Sequence, residues 1–569
     1  MKLRLWLVTA AAGLVLADAS IVTLALPELL TQLDTTVEGV AAVIAVYTLV
    51  LAAALLPAER LMRRIGPPAL GAAGFVVFGL ASAVCAGADA LTPLLIARGV
   101  QALGGAAGLV AAFALIDGGA PAGRRHWLGA AVLSSAIGPA LGGALTEAFD
   151  WRAIFIVQVP LAAVAALAAL SGPRTVKSAG ADSTGPTGTA VHEVVDDAHV
   201  TAPIRILPAL ALALLSAALT AVLFLLVLLL IAGWAISPLA AAATVTILPL
   251  AALLGSRFGG PPRQRAAAGS VLVGGGVLAL AWLPDANVAW TFVPQALAGI
   301  GMGMALPAFA GELLPERTPH DAAWLLTIRH VGIAVVLIAV APLIASQLDS
   351  TTERAKERGV ALVLDAKLPP QDKLELAPKL LSGVDAEQPR AGLDAALAAN
   401  AEMFDGDDRE VYDQLSERAD EVIVTAVGEA FRPAFLIAGA LALLAALALL
   451  ADRSPHGKGG RAASPLLLLT LLALAAPPAY AAAHASIAPE PVAIGDPCGD
   501  RDLPDSGGLT GFLQDRALEV VDAGACRLRV SREELVLALA DEQSAKRFEE
   551  RHGVDPRSVT SLLGGLLNP

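Results

Sequence analysis

Twelve apolar runs of about 20 residues, separated by short polar breaks, constrain this chain more than any single motif in it. At about 1.5 Å of rise per residue, a helical run of that length matches a hydrocarbon thickness of roughly 30 Å. The chain is therefore predicted to be an all-α membrane protein crossing the bilayer many times. Its composition agrees, because 569 residues that are 56% hydrophobic and only 16% charged hold more apolar sequence than a soluble core can take up. The runs lie near 5–26, 40–57, 69–88, 91–117, 126–147, 152–170, 204–232, 236–256, 266–284, 288–311, 321–346 and 432–451. Residues 1–170 form a first six-helix half, and 171–203, rich in Gly, Ser, Thr and Pro with no apolar period, reads as a flexible linker. Residues 204–346 supply five helices of a second half and 431–451 its last.

Lysine and arginine set the orientation. Outside two acidic segments there are 21 basic residues, and a cytoplasmic N-terminus places 17 of them in cytoplasmic segments, the linker among these. The net charge of −13 is not spread evenly: 347–430 carries −10 and 484–569 carries −6, leaving +3 elsewhere. The acidity belongs to two soluble segments on the extracytoplasmic side and implies no nucleic-acid partner. Within 347–430, residues 366–384 and 409–427 look helical, as a small cap or docking surface, with a solvated spacer as the equal alternative. Residues 465–485 follow a basic patch with a leucine-rich core, two prolines and small residues. They read as a thirteenth membrane helix or as a secretory signal-like segment with Ala479-Tyr480-Ala481 as its cleavage site. Either way the tail, 486–569, lies outside, where Cys498 and Cys526 are free to form a disulfide worth roughly 3–4 kcal/mol. Cys85 stands alone in the third run and reads as inert packing.

In the fifth run, Ala130, Ser134, Gly138 and Gly142 recur every fourth residue beside Ala131, Ser135, Pro139 and Gly143, which gives one nearly smooth helix face suited to close helix packing. IGPALGGAL, and DWRAIFIVQVPLA after it, resemble the antiporter motif and the Trp-Arg-Trp-x-Phe-x-x-Asn-x-Pro segment of the drug:proton antiporter-2 family of the major facilitator superfamily, with Ala153 and Gln158 as departures. The resemblance covers most of 5–346 and 431–451, and implies two six-helix halves where that family usually has fourteen helices. LADASIVTLALP resembles the first-helix motif Asp-x-Thr-Ile-Val-Asn-x-Ala-Leu-Pro, and LLIARGVQALGGAAG the fourth-helix motif Arg-x-x-Gln-Gly-x-Gly-x-Ala. PAERLMRRIGPPALG matches the second-loop motif Gly-x-x-x-Asp-Arg-x-Gly-Arg-Arg poorly: Arg63 stands at the acid, Arg64 and Gly66 are kept, and Glu59 stands at the first glycine. The gating loop thus reads as having lost its acid.

No metal-ligand spacing, nucleophile elbow or cofactor motif survives inspection, so the chain does not read as an enzyme. The chemistry falls to intramembrane polar residues, each charge costing about 2.5–3.5 kcal/mol at the bilayer centre. Asp18 lies about 13 Å beneath the outer end of its helix and Arg98 about 9–10 Å deep, at similar levels. A carboxylate so placed is suited to take up and release a proton; a permanent structural ion pair is the alternative. The resemblance puts Arg98 at a proton-coupling centre with Gln101 one turn on. Gln101, Gln158 and Gln295 are candidates to line a substrate cavity, and Arg329 reads as snorkelling or packing. The expected function is export of small hydrophobic or amphiphilic compounds in exchange for protons by alternating access, in a bacterial-type inner membrane. The alternatives are a transporter-derived scaffold or sensor with an envelope partner on its outer segments, or an exporter of a lipid or peptide cargo.

Overall fold

The computed structural model describes residues 2–171, 205–384, 386, 388–452, 464–499, 508–540 and 542–557. The linker beyond 171 and the basic patch at 453–463 lie outside the described residues. Among the described residues all regular structure is helical. The first half comprises α1 (Lys2–Thr23), α2 (Leu26–Gln32), α3 (Val37–Ile65), α4 (Pro67–Ala86), α5 (Leu91–Leu115), α6 (Pro121–Ala148), α7 (Ala153–Ile156) and α8 (Gln158–Leu170). The second comprises α9 (Ile206–Leu228), α10 (Pro238–Val245), α11 (Ile247–Gly255), α12 (Pro262–Ala279), α13 (Phe292–Ala308), α14 (Pro319–Asp365), α15 (Pro370–Gly383), α16 (Pro389–Asn400) and α17 (Asp407–Ala451). Then follow α18 (Ser464–Ile487), α19 (Gly508–Leu528), α20 (Arg532–Ala540) and α21 (Glu542–His552). The face at which α1 begins is called here the near face, its opposite the far face.

Proline accounts for where the predicted runs start and break. It opens α4, α6, α10, α12 and α14 at first-turn positions, where its missing N–H has no helical partner to lose. Pro27 ends the first run at Thr23 instead of 26, and Pro160 and Pro249 lie just beyond the breaks between α7 and α8 and between α10 and α11. Gly66, at φ 84°, joins α3 to α4 in a conformation that only glycine adopts at no steric cost. The fifth run continues as helix through Pro139.

Twelve helices are long and apolar enough to cross a membrane. Among the described residues, eleven of these coincide with predicted runs and the twelfth is Leu466–Ile487 in α18. α18 packs on α12, with Gly275 against the backbone of Ala473, and the Tyr480 hydroxyl donates to the Trp290 carbonyl at 2.7 Å.

The helices do not stop at 346 or start again at 431. α14 runs 47 residues and α17 45, so both project past the far face, and α15 and α16 close the gap between them. Leu376, Leu380, Leu393, Phe404, Tyr412 and Leu415 are buried there, in one core with the second half. Arg390 grips Asp420 through two bonds of 2.7 and 2.9 Å. The segment is a packed cap, not a solvated spacer. The tail helices α19 to α21 enclose a small core of Ala525, Val530, Leu535, Ala538 and Phe548 beside a Cys498–Cys526 disulfide. They dock on α14 through Arg532 with Asp365 and Arg547 with Glu353, both at 2.9 Å.

Candidate functional site

Five helices of the first half send six polar groups to the same place. Asp18 comes from α1, Tyr47 from α3, Ser82 from α4, Arg98 and Gln101 from α5 and Gln158 from α8, and all six are fully or almost fully buried. Arg98 Nη1 donates to Asp18 Oδ2 and to Gln101 Oε1, both at 2.6 Å, and Arg98 Nε to the Val43 carbonyl at 3.2 Å. Gln158 Nε2 donates to the second carboxylate oxygen, Asp18 Oδ1, at 2.9 Å. Gln101 Nε2 lies 2.9 Å from Ser82 Oγ and 2.8 Å from Gln158 Oε1, which closes the network.

Arg98 Nη2 has no hydrogen-bond partner, but the guanidinium carbon sits 4.2 Å from the centroid of the Tyr47 ring. The negative face of that ring partly replaces the missing acceptor. Such a cluster is high-stakes: a buried ion pair with its remaining sites hydrogen-bonded is tolerated, whereas one charge without the other costs about 3–5 kcal/mol. Protonating Asp18 would therefore leave Arg98 uncompensated and press the five helices to rearrange. That is a way to convert a proton into a movement.

Small residues let these helices approach. Gly138 of α6 faces Ser20 and the Ala17 carbonyl of α1, and Gly142 faces the Ile21 backbone one turn further, so a side chain at either would collide. Gly143 faces the other half, against Pro238 and Ala242 of α10. Leu239 N donates to Glu147 Oε2 at 3.3 Å close by, so the halves touch at the far face.

They touch at the near face as well. Glu59 of α3 is buried, accepts from Arg63 Nε at 2.6 Å and lies 3.5 Å from His320 at the start of α14. The acid position of the second-loop motif still holds Arg63; Glu59, one turn before it, brings a carboxylate to the interface instead. Arg64 is exposed. The Thr327 hydroxyl donates to the Ala52 carbonyl at 3.3 Å. Glu316, in the turn before α14, is buried against Trp127 of α6, and burial pushes its carboxyl up to about 7, opposed by the Trp127 hydrogen bond and by Arg124.

Asp18, Arg98, Gln101 and Gln158 are thus brought together, while Gln295 is not: it lies in α13 and its Nε2 donates to Thr291 one turn before. Ser82, Tyr47 and Glu316 were not singled out from the sequence, and Glu59 was placed only at a glycine position of the loop motif. The available signal for the three was a polar residue inside or at the end of an apolar run, which they share with many residues of no special position.

The family model described as Major Facilitator Superfamily matches residues 8–344. The drug efflux pump JefA of Mycobacterium tuberculosis is 32% identical over 165 residues, 28% of this chain and 32% of the pump. The methylenomycin A resistance protein of Streptomyces coelicolor is 33% identical over 162 residues, 27% of this chain and 34% of that protein. The matches span about a third of the length of these relatives. A crystal structure of a bacterial homologue of the human lysosomal transporter Spinster, inward-facing and unoccupied, superposes with a TM-score of 0.51 at 16% identity, covering 80% of this chain and 99% of that one.

Proposed function

The chain belongs to the major facilitator superfamily as a multi-pass membrane transporter, and from that premise we propose that it exports small hydrophobic or amphiphilic compounds in exchange for protons. The observation that carries this reading is the buried Asp18–Arg98 pair held by Gln101 and Gln158, in a cluster where five helices meet. Asp18 carries the proton, and Arg98 is its ion-pair partner. The near face is cytoplasmic, on the lysine and arginine distribution, and the cap and tail lie outside, which suits a disulfide in the tail. Relatives with resistance and efflux names support an outward direction. One proton entering down about 120 mV and half a pH unit yields roughly 3.4 kcal/mol, enough for an outward gradient of a few hundredfold at one proton per molecule.

The test is proton release from purified, reconstituted protein on adding hydrophobic cations, neutral amphiphiles and amphiphilic anions, wild type beside Asp18→Asn. Release in the wild type and none in the variant is the expected result. Equal release in both would reject Asp18 as the carrier.

A further inference from the structure

Arg329 lies in α14 about 15 Å from the start of that helix, near mid-membrane depth. Val331, Val335 and Ile338 form the lipid-exposed side of α14, and Arg329 stands roughly 150° around the helix from them. The residues one turn to either side on its own face, Leu326 and Ile333, are buried, while Arg329 keeps part of its surface accessible. Among the described residues none forms an ion pair or hydrogen bond with it. The charge acting on it is Glu316, the same carboxyl that Trp127 of the first half engages. A guanidinium therefore stands at the junction of the halves, deep in the membrane, without a dedicated counter-ion. Asp18 shows the contrast: its guanidinium partner at similar depth has every charge matched.

We propose that Arg329 is the anion-binding residue of the transport path, selecting amphiphiles that carry one sulfonate, carboxylate or phosphate group on an apolar body. The planar fork of an arginine matches two oxygens of such a group, and a low-dielectric surrounding strengthens the pairing. The proposal rests on the transport reading and narrows its substrate class. It does not depend on proton exchange, since the two residues belong to different halves.

The experiment measures equilibrium binding of two naphthalene probes to the full-length protein in nanodiscs, with lipid-only discs subtracted and no proton gradient. 8-Anilinonaphthalene-1-sulfonate carries the anion; N-phenyl-1-naphthylamine has the same rings without it. Arg329→Gln is expected to weaken sulfonate binding at least tenfold, Arg329→Lys to stay within threefold, and the amine to stay within twofold in all three proteins. An unchanged sulfonate affinity in Arg329→Gln, an equal loss of both probes, or no saturable sulfonate binding to the wild type would each overturn the proposal. Should Arg329→Gln fail to fold, phenylglyoxal modification of Arg329 in the wild type, read by peptide mass, gives the same decision: the sulfonate must slow it and the amine must not. Loss of proton release in Asp18→Asn with these affinities intact keeps the two readings separable.

Discussion

Removing one charge of the Asp18–Arg98 pair should cost more than removing both. Both side chains have no exposure, so Asp18→Asn strands a guanidinium and Arg98→Gln strands a carboxylate, each by about 3–5 kcal/mol. The double variant removes both penalties. Thermal unfolding in a fixed detergent should therefore place it above the lower of the two single variants, and a double variant that loses the sum of both would show the pair to be uncoupled. Gln158→Leu should cost about 1–3 kcal/mol, because Asp18 Oδ1 loses its short donor while the charges stay matched. These residues were legible because a charge or an amide inside an apolar run stands out at once. Tyr47 and Ser82 were not: an aromatic ring and a hydroxyl are ordinary in helices, and only the fold shows that one lies over Arg98 and the other beside Gln101. Gln295 shows the opposite failure, an amide at a promising depth whose partner is merely Thr291, the N-cap of its own helix.

At the scale of elements, the small-residue face of α6 exists to meet α1. Gly142→Val should drive its side chain into the Ile21 backbone and lower the yield of folded protein severalfold by size-exclusion profile, whereas Gly129→Ala, with open space around it, should change little. Four-residue spacing made that face readable, but not which of its glycines meets the other half, since that depends on how the halves are set together. The disulfide makes a separate prediction. Cys498 and Cys526 are 28 residues apart, and losing a loop of that length frees roughly 3–4 kcal/mol of chain entropy in the opened tail. Cys498→Ser should make the tail the first site cut by a soluble protease, with the helix bundle left intact. The packed cap was half legible: its helical pieces carry an apolar period, but the unbroken extension of α14 and α17 into it has no composition signal, because charged residues on a helix outside lipid look like those of a loop.

For the whole molecule, the near-face closure should depend on pH through Glu316. In the closed state burial holds its carboxyl up to about 7, while opening of the turn would return it towards its ordinary 4.5. The closed form therefore binds the proton more tightly. Its advantage is fully present below about 4.5, and is lost as pH rises through about 7, amounting to roughly 3 kcal/mol over that range. The neighbours that set the size of the effect are Arg124 and Arg329, which favour ionisation, and Asp321, which opposes it. Spin labels at Arg60 and Arg317, both exposed and on opposite halves, report the opening as a distance in a Cys85→Ala background. Between pH 5.5 and 8.5 the long-distance population should grow in the wild type, and should stay small and nearly constant in Glu316→Gln, which keeps the neutral form at every pH. A wild-type population that does not move with pH would place the closing force elsewhere, in the packing of α3 along α14. On the proposed proton-exchange reading, with the near face cytoplasmic, a neutral lock of this kind opens most readily in an alkaline interior.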